Sequence, residues 1–250
     1  AHLNQKDDKD YFLTRSKQVL QLFNPEWGFF WGKDSLGNWL PDFSETSTRH
    51  DHWNDPLFYE GGSRTYSDFV PHAMEELIQL HGGKDAYEKH LDHVFASGFK
   101  LGNEPVFLTP YLYNYINKPH KTALRVRNLL DEQFKVGPNG LPGQDDSGAV
   151  SAWFVWSSLG LFPVAGQPIY LLGSPVFESA SIDLGGGKAF KLKTENYNRD
   201  NKYVSGIKLN GQALNRSYIT HEEVLAGGEL SFIMSPNPDD SWAKESPPSY

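Results

Sequence analysis

Cysteine is absent from all 250 residues, which excludes disulfides, thiolate metal sites and cysteine nucleophiles. Larger domains fold without disulfides, so this absence leaves the cellular compartment open. Long apolar runs are missing too. No stretch approaches a membrane span and no signal-peptide pattern opens the chain, so a membrane is not expected as a partner. Positive charge is in deficit: 23 Lys and Arg face 31 Asp and Glu, a net charge of −8, which argues against nucleic acid as a partner. There is no Walker loop, no dinucleotide fingerprint after a strand and no G-x-S-x-G elbow. The run GGGK at 185–188 falls between two strand-like segments and reads as a hairpin turn.

What remains is an ordinary globular composition with a surplus of carboxylates, able to supply oxygen ligands to a hard cation. Aromatics are abundant, with seven Trp, twelve Tyr and sixteen Phe, so most of them must be core. Trp27, Phe29, Phe30, Trp31, Trp39 and Trp53, however, lie in Gly-, Asp- and Asn-rich segments of weak periodicity. Rings there either pack the loops or line a pocket for a flat-faced ligand such as a sugar. The chain begins at Ala1 and enters a helical pattern within a few residues, which reads as a processed chain or a fragment.

The first two-thirds reads as helices joined by long loops. Helical spacing covers 9–23, the segments VPHAMEELIQLHGG and KDAYEKHLDHVFASG, residues 105–116, residues 119–136 and AVSAWFVWSSLGLF. Residues 24–68 have little period, and a loop that long in a compact domain is unusual unless it builds a site. Near residue 163 the pattern changes to short alternating segments, PIYLLGS, ASIDL, AFKLKT, YVSGIKL and ELSFIM, punctuated by Asn210-Gly211 and Gly227-Gly228. The expected organisation is a helical part over 1–163 and an antiparallel β module with an acidic, Pro-rich tail over 164–250. Helices separated by site-bearing loops suggest a toroid of helix pairs, but about six are too few for a double ring of twelve.

Three stretches set carboxylates among glycines and aromatics. In FYEGGSRTY, Glu60 beside Phe58 and Tyr59 is either a partly desolvated general acid or a surface glutamate at a turn. In LGNEPVFLTPY, Asn103 and Glu104 offer neighbouring oxygens for calcium, or Asn103 caps a helix. In GLPGQDDSGAVSAW, Asp145 and Asp146 precede a helix and need a cation, hydrogen-bond donors or the helix terminus to stay charged together. Either could activate water, bind a metal or cap the helix. Carboxylates on separate loops meet the requirement of glycoside hydrolysis for an acid and an opposing carboxylate. His72 follows Pro71 at a helix start and either reaches a ligand or packs. His50 and His52 flank Asp51, a weak metal-binding spacing. His90 and His93 read as surface residues on the wet face of their helix.

At these stretches the chain resembles glycoside hydrolase family 92, the calcium-dependent exo-α-mannosidases. GLPGQDDSGAVSAWFVWSSLGLFPV is similar to that family's GLPGNDD-x-G signature, LGNEPVFLTPYLYNYINKPHKT to its GNEP block, and YEGGSRTYSDFVPH to its EGN…VPHD block. LFNPEWGFFWGKDSLGNW and the IYLLGSPVF run also look like family segments. The resemblance implies a catalytic acid at Glu60 and a general-base pair at Asp145 and Asp146. It further implies calcium held with the help of Asn103, Glu104 and Asp146, and substrate contacts at Trp31, Trp53 and His72. The implied reaction is inverting removal of terminal α-linked mannose from glycans, with α-1,2 linkages among the candidates. The alternative is a catalytically silent carbohydrate-binding or storage protein. The implied fold is part of an (α/α)6 toroid plus β segments that pack on a missing β-sandwich, supplied by a separate N-terminal chain of the same enzyme. Departures are Gln144 for the usual Asn, Ala73 for the usual Asp after VPH, and Gly62-Ser63-Arg64 without the usual aromatic. The sequon Asn215-Arg216-Ser217 is compatible with a secreted, vacuolar or periplasmic location.

Overall fold

The computed structural model describes residues 6–46 and 57–249. These fall into two compact units, one of residues up to Val94 together with Ser249, the other of Phe95–Pro248.

The first unit opens with helix α1 (Lys6–Ser16), continued by a 3-10 turn at Lys17–Leu22. Asn24-Pro25 stops it as the sequence requires, because proline disfavours helical backbone in the residue before it. Strands β1 (Phe23–Asn24) and β2 (Phe29–Phe30) then form a short antiparallel hairpin inside the segment read as loop, with both phenylalanines of β2 buried. Helix α2 (Ser63–Tyr66) is a single turn fastened to this hairpin: Phe30 donates its N–H to Ser67 Oγ at 2.7 Å, and Ser63 Oγ donates to the Phe30 carbonyl. A 3-10 turn at Pro71–Ala73 leads into α3 (Met74–Leu80), which buries Met74, Leu77 and Ile78. Helix α4 (Lys84–Ala96) buries Tyr87, Leu91 and Val94 at helical spacing and crosses the division between the units.

In the second unit, residues 105–116 were expected as one helix. They form instead two 3-10 segments, Glu104–Val106 and Thr109–Ile116. Pro105 and Pro110 lack the N–H that continuous α-helical bonding needs, and all eight residues of the second segment are buried. Asn117, with left-handed backbone, ends it. Helices α5 (Pro119–Gln133) and α6 (Ala149–Ser158) follow. Two buried aromatics have their polar ends satisfied here: Trp153 Nε1 donates to the Phe107 carbonyl at 3.0 Å and the Tyr111 hydroxyl to Ser157 at 2.8 Å.

Strands β3 (Leu161–Pro163), β4 (Ile169–Leu172) and β9 (Tyr218–Thr220) form one antiparallel sheet. A five-stranded sheet holds β5 (Ser179–Gly185), β6 (Lys188–Glu195), β7 (Tyr203–Leu209), β8 (Gln212–Ala213) and β10 (Gly228–Ser235), in the order β5-β6-β10-β7-β8. Both expected hairpins are present, β5–β6 across the glycine triplet and β7–β8 across Asn210-Gly211, where both turn residues have positive φ as a tight primed turn demands. The expectation of a purely antiparallel module is corrected at one row: β10 runs parallel to β6 and antiparallel to β7. Helix α7 (His221–Ala226), outside the sequence expectations, sits between β9 and β10 and ends the long connection, through β7, β8 and β9, that lets β10 lie parallel to β6. Alternation places Phe190 and Leu192 of β6, and Leu230, Phe232 and Met234 of β10, in one core with Leu161, Ile207 and Trp242. Buried Arg127 of α5 fastens the 175–201 segment to the helix layer by donating to the carbonyls of Pro175, Arg199 and Asn201.

Candidate functional site

In the second unit, two of the singled-out loops touch. The chain turns at Gly140, where a side chain would collide with the Lys135 carbonyl, and then passes the 101–104 segment so closely that a Cβ on Gly143 would stand 3.0 Å from the Gly102 carbonyl oxygen. LGNEP and GLPGQDD are thus joined backbone to backbone, and glycine is what the approach permits. Asn103, Glu104, Asp145 and Asp146 therefore all come from one pair of contacting loops.

Their individual settings differ. Asn103 is the N-cap of its 3-10 turn, with Oδ1 accepting the Glu104 N–H at 2.9 Å. Glu104 is exposed. Asp145 is half-buried, and its Oδ1 accepts the Ser151 N–H at 2.8 Å in the first turn of α6. Its carbonyl accepts from Gly148 and Val150. Asp146 is exposed, has left-handed backbone at φ 46°, and its carboxylate accepts no hydrogen bond among the described residues. Adjacent Ser147 is also left-handed, at φ 58°. Two consecutive non-glycine residues in that region carry local strain, which concentrates at ligand-handling loops.

In the first unit, Glu60 is half-buried and also left-handed, at φ 57°. It lies immediately before the buried Gly61-Gly62-Ser63 that starts α2, and the ring of Phe58 stacks on Tyr66 at 5.7 Å. Trp31 is held by its own neighbours: Nε1 donates to the Leu40 carbonyl at 2.9 Å, and the ring packs against Trp27, Phe43 and Phe58. Trp27 stacks on Phe43 at 4.3 Å. The rings of Trp27, Trp31 and Trp39 thus form one packed group with Phe43. His72 Nε2 lies 3.0 Å from the Ser16 carbonyl, a tie between α1 and the 3-10 turn. Trp53, His50, Asp51 and His52 lie outside the described residues. An open groove of about 610 Å3 in this unit is lined by Leu20, Gln21, Glu75, Glu76, Gln79 and Leu80, none of them a residue singled out from the sequence.

One further cluster lies outside the site residues singled out from the sequence. His93 is exposed as expected, but the His90 side chain is only 7% exposed and its Nε2 lies 3.1 Å and 3.2 Å from the two oxygens of Asp68, itself 2% exposed. The correction has a simple cause: His90 is three residues after Tyr87 and one before Leu91, inside the buried stripe of α4. Tyr87 donates its hydroxyl to Asp68 at 2.9 Å, and His81 packs on His90 with ring centroids 4.3 Å apart. Burial alone would raise the Asp68 carboxyl, but the charge and hydrogen bond of His90, with help from His81 and Tyr87, hold it below its usual value. Burial, reinforced by the neighbouring His90, pushes His81 down to about 4, so it is a neutral imidazole at pH 7.

The family description "Glycosyl hydrolase family 92 catalytic domain" matches residues 1–236. An uncharacterized secreted glycosidase of Arthroderma benhamiae is 36% identical over 193 residues, which is 76% of this chain and 25% of that protein. Among solved structures, a family 92 α-mannosidase from Bacteroides thetaiotaomicron is 32% identical with a TM-score of 0.88, over 99% of this chain and 34% of its own. A family 92 inverting mannosidase from the same organism is 32% identical with a TM-score of 0.87, over 99% of this chain and 37% of its own. The chain thus spans about a quarter to a third of the length of these relatives. With the match running over nearly its whole length, the chain belongs to glycoside hydrolase family 92.

Proposed function

We propose that this chain carries the sugar-cleaving machinery of an exo-acting α-mannosidase and works with the further residues its relatives possess, in one polypeptide or as a separate N-terminal chain. The observation that carries the reading is the family match over residues 1–236, which includes the contacting GNEP and GLPGQDD loops. In this reading the helices form part of an (α/α)6 toroid, the helical portion extends over 1–163, and the β segments from 164 onward dock beside a β-sandwich outside this span. A secreted location fits the description of the fungal relative.

Glu60 is the proposed acid. It gives its proton to the glycosidic oxygen as the C1–O bond breaks, so that the leaving alcohol departs neutral. Asp145 and Asp146 are the proposed base pair. One of them takes a proton from water, whose oxygen attacks C1 from the opposite face, and the product sugar carries inverted configuration. Asp145 is tied to α6 and fixes the loop, while Asp146 stays exposed and open to water or a metal. Trp31, Trp53 and His72 are assigned to the sugar's surroundings, with Trp31 as part of a packed aromatic wall.

The donor set of the two contacting loops fits a calcium ion. It consists of oxygens alone, the amide oxygen of Asn103 and the carboxylates of Glu104 and Asp146, of which Glu104 and Asp146 are exposed. When bound, calcium supplies a positive charge and open coordination positions for sugar hydroxyls, which favours distortion toward an oxocarbenium-like state. The test is mannose release from a defined α-linked mannobiose by wild type and Glu60→Gln, with calcium or with EDTA. Activity lost in Glu60→Gln and in EDTA supports the reading. Mannose binding without release by wild type would replace it with the carbohydrate-binding alternative.

A further inference from the structure

The Asp68–His81–His90 cluster shares no residue with the roles assigned above. One ring nitrogen of each histidine and one carboxylate oxygen lie within 4.8 Å of one another. The three side chains come from three places in the first unit: Asp68 from the segment after α2, His81 from the end of α3 and His90 from the middle of α4. Asp68 and His90 are almost fully buried, and the Nε2 atom of His81 is buried with no hydrogen-bond partner among the described residues. An unpaired polar atom in such a place costs free energy, and a native fold rarely leaves one without a reason. The surroundings are aromatic: Phe23 and Tyr87 pack on His81, and Phe29 packs on His90. The β1–β2 turn also lies close, since a Cβ on Gly28 would stand 3.7–3.9 Å from both imidazoles.

We propose that Asp68, His81 and His90 form a binding site for a divalent transition ion of the zinc class, distinct from the calcium site. Two imidazoles and a carboxylate suit zinc, whereas calcium prefers oxygen donors alone. Tyr87 is the outer partner, its hydroxyl bond to Asp68 fixing the carboxylate's orientation. Three protein ligands leave one coordination position, which water fills. On binding, any proton shared between His90 and Asp68 passes to solvent, and each histidine offers a nitrogen lone pair. The ion then ties the segment after α2 to α3 and α4, a cross-link in a unit that has no disulfide.

The experiment is titration of metal-stripped protein with zinc alone, competed against a chromophoric chelator, with thermal unfolding recorded in parallel. Wild type is expected to bind one equivalent and to unfold at higher temperature with zinc than without. His81→Gln and Asp68→Asn are each expected to weaken binding by at least about tenfold and to lose the thermal shift. The His50→Ala/His52→Ala double variant is expected to bind like wild type. Cobalt(II) added to wild type gives a readout independent of whether the variants fold, because nitrogen and oxygen ligation in four-coordinate geometry produces strong visible absorption. Absence of a stoichiometric zinc site in wild type, binding unchanged in His81→Gln, binding abolished in the His50/His52 variant, or a cobalt spectrum like that of the aqueous ion would each overturn the proposal.

Discussion

Asp145 accepts the Ser151 amide N–H at 2.8 Å, so one carboxylate of the tandem is built into the first turn of α6 while its neighbour Asp146 is left exposed. The two should therefore separate by experiment. Asp145→Ala should lower the unfolding free energy by about 1 kcal/mol, the usual cost of losing a side-chain cap. Asp146→Asn should leave stability within about 0.5 kcal/mol of wild type and lower kcat by about 100-fold or more. Urea unfolding and mannose release measured on both variants test the division of labour.

Glu60 has φ 57°, a conformation glycine adopts without penalty. Glu60→Gly is therefore expected to keep the turn's backbone while mannose release collapses. An aryl mannoside with a good leaving group needs less help from an acid. On that substrate the loss should be smaller than on a mannobiose by about tenfold or more, a comparison that kinetics on the two substrates would make.

Gly143 and Gly102 meet backbone to backbone but are not equivalent. A Cβ on Gly143 would press on the Gly102 carbonyl at 3.0 Å, whereas one on Gly102 would make ordinary contact at 3.5 Å. Gly143→Ala should destabilise the fold by about 1–3 kcal/mol, the range for overpacking, and raise the calcium concentration needed for half-maximal activity. Gly102→Ala should do neither to a comparable degree. Calorimetry and a calcium titration of activity decide.

Glu223 closes a capping box with Thr220 and pairs with Arg216. Burial alone would raise its carboxyl, but the Arg216 and Thr220 hydrogen bonds and the Arg216 charge hold it below the ordinary 4.5. A depressed folded value means that the stabilisation is complete above pH 4.5 and is lost as pH falls through the lower folded value. Glu223→Ala should thus cost about 1 kcal/mol at pH 7, with the gap from wild type closing at a pH below the lowered folded value. Urea melts at the two pH values provide the check.

Much of this was legible in the sequence, and the failures have identifiable causes. Periodicity located α3, α4, α5 and α6, and turn chemistry located both hairpins, because each signal is local. The β6–β10 parallel pairing is a choice among partners far apart in sequence, which alternation cannot encode. Helix α7 is six residues long, too short for periodicity, although Thr220-x-x-Glu223 carried its capping signature. Over 105–116 the apolar spacing suits one helix, but Pro105 and Pro110 break it into two 3-10 segments. His90 reads as lying on the wet face of α4, although its i+3 spacing from Tyr87 puts it beside the buried stripe. Its partners Asp68 and His81 lie 22 and 9 residues away, and no local pattern joins them. The contact between LGNEP and GLPGQDD is likewise non-local, and only glycine at 143 hinted at a close approach.

Strand β10 is the last of the five-stranded sheet to leave the ribosome, yet it occupies the middle row. Until residue 235 emerges, β6 and β7 each present an open ladder of N–H and C=O groups to any passing strand. This half of the protein cannot assemble vectorially as it is synthesised, and a nonsense mutation upstream of 228 would release a product with two sticky margins. Such truncations are expected in inclusion bodies, and loss of the tail beyond Ser235, though it removes no row of the sheet, strips buried Trp242 and Ala243 from its core.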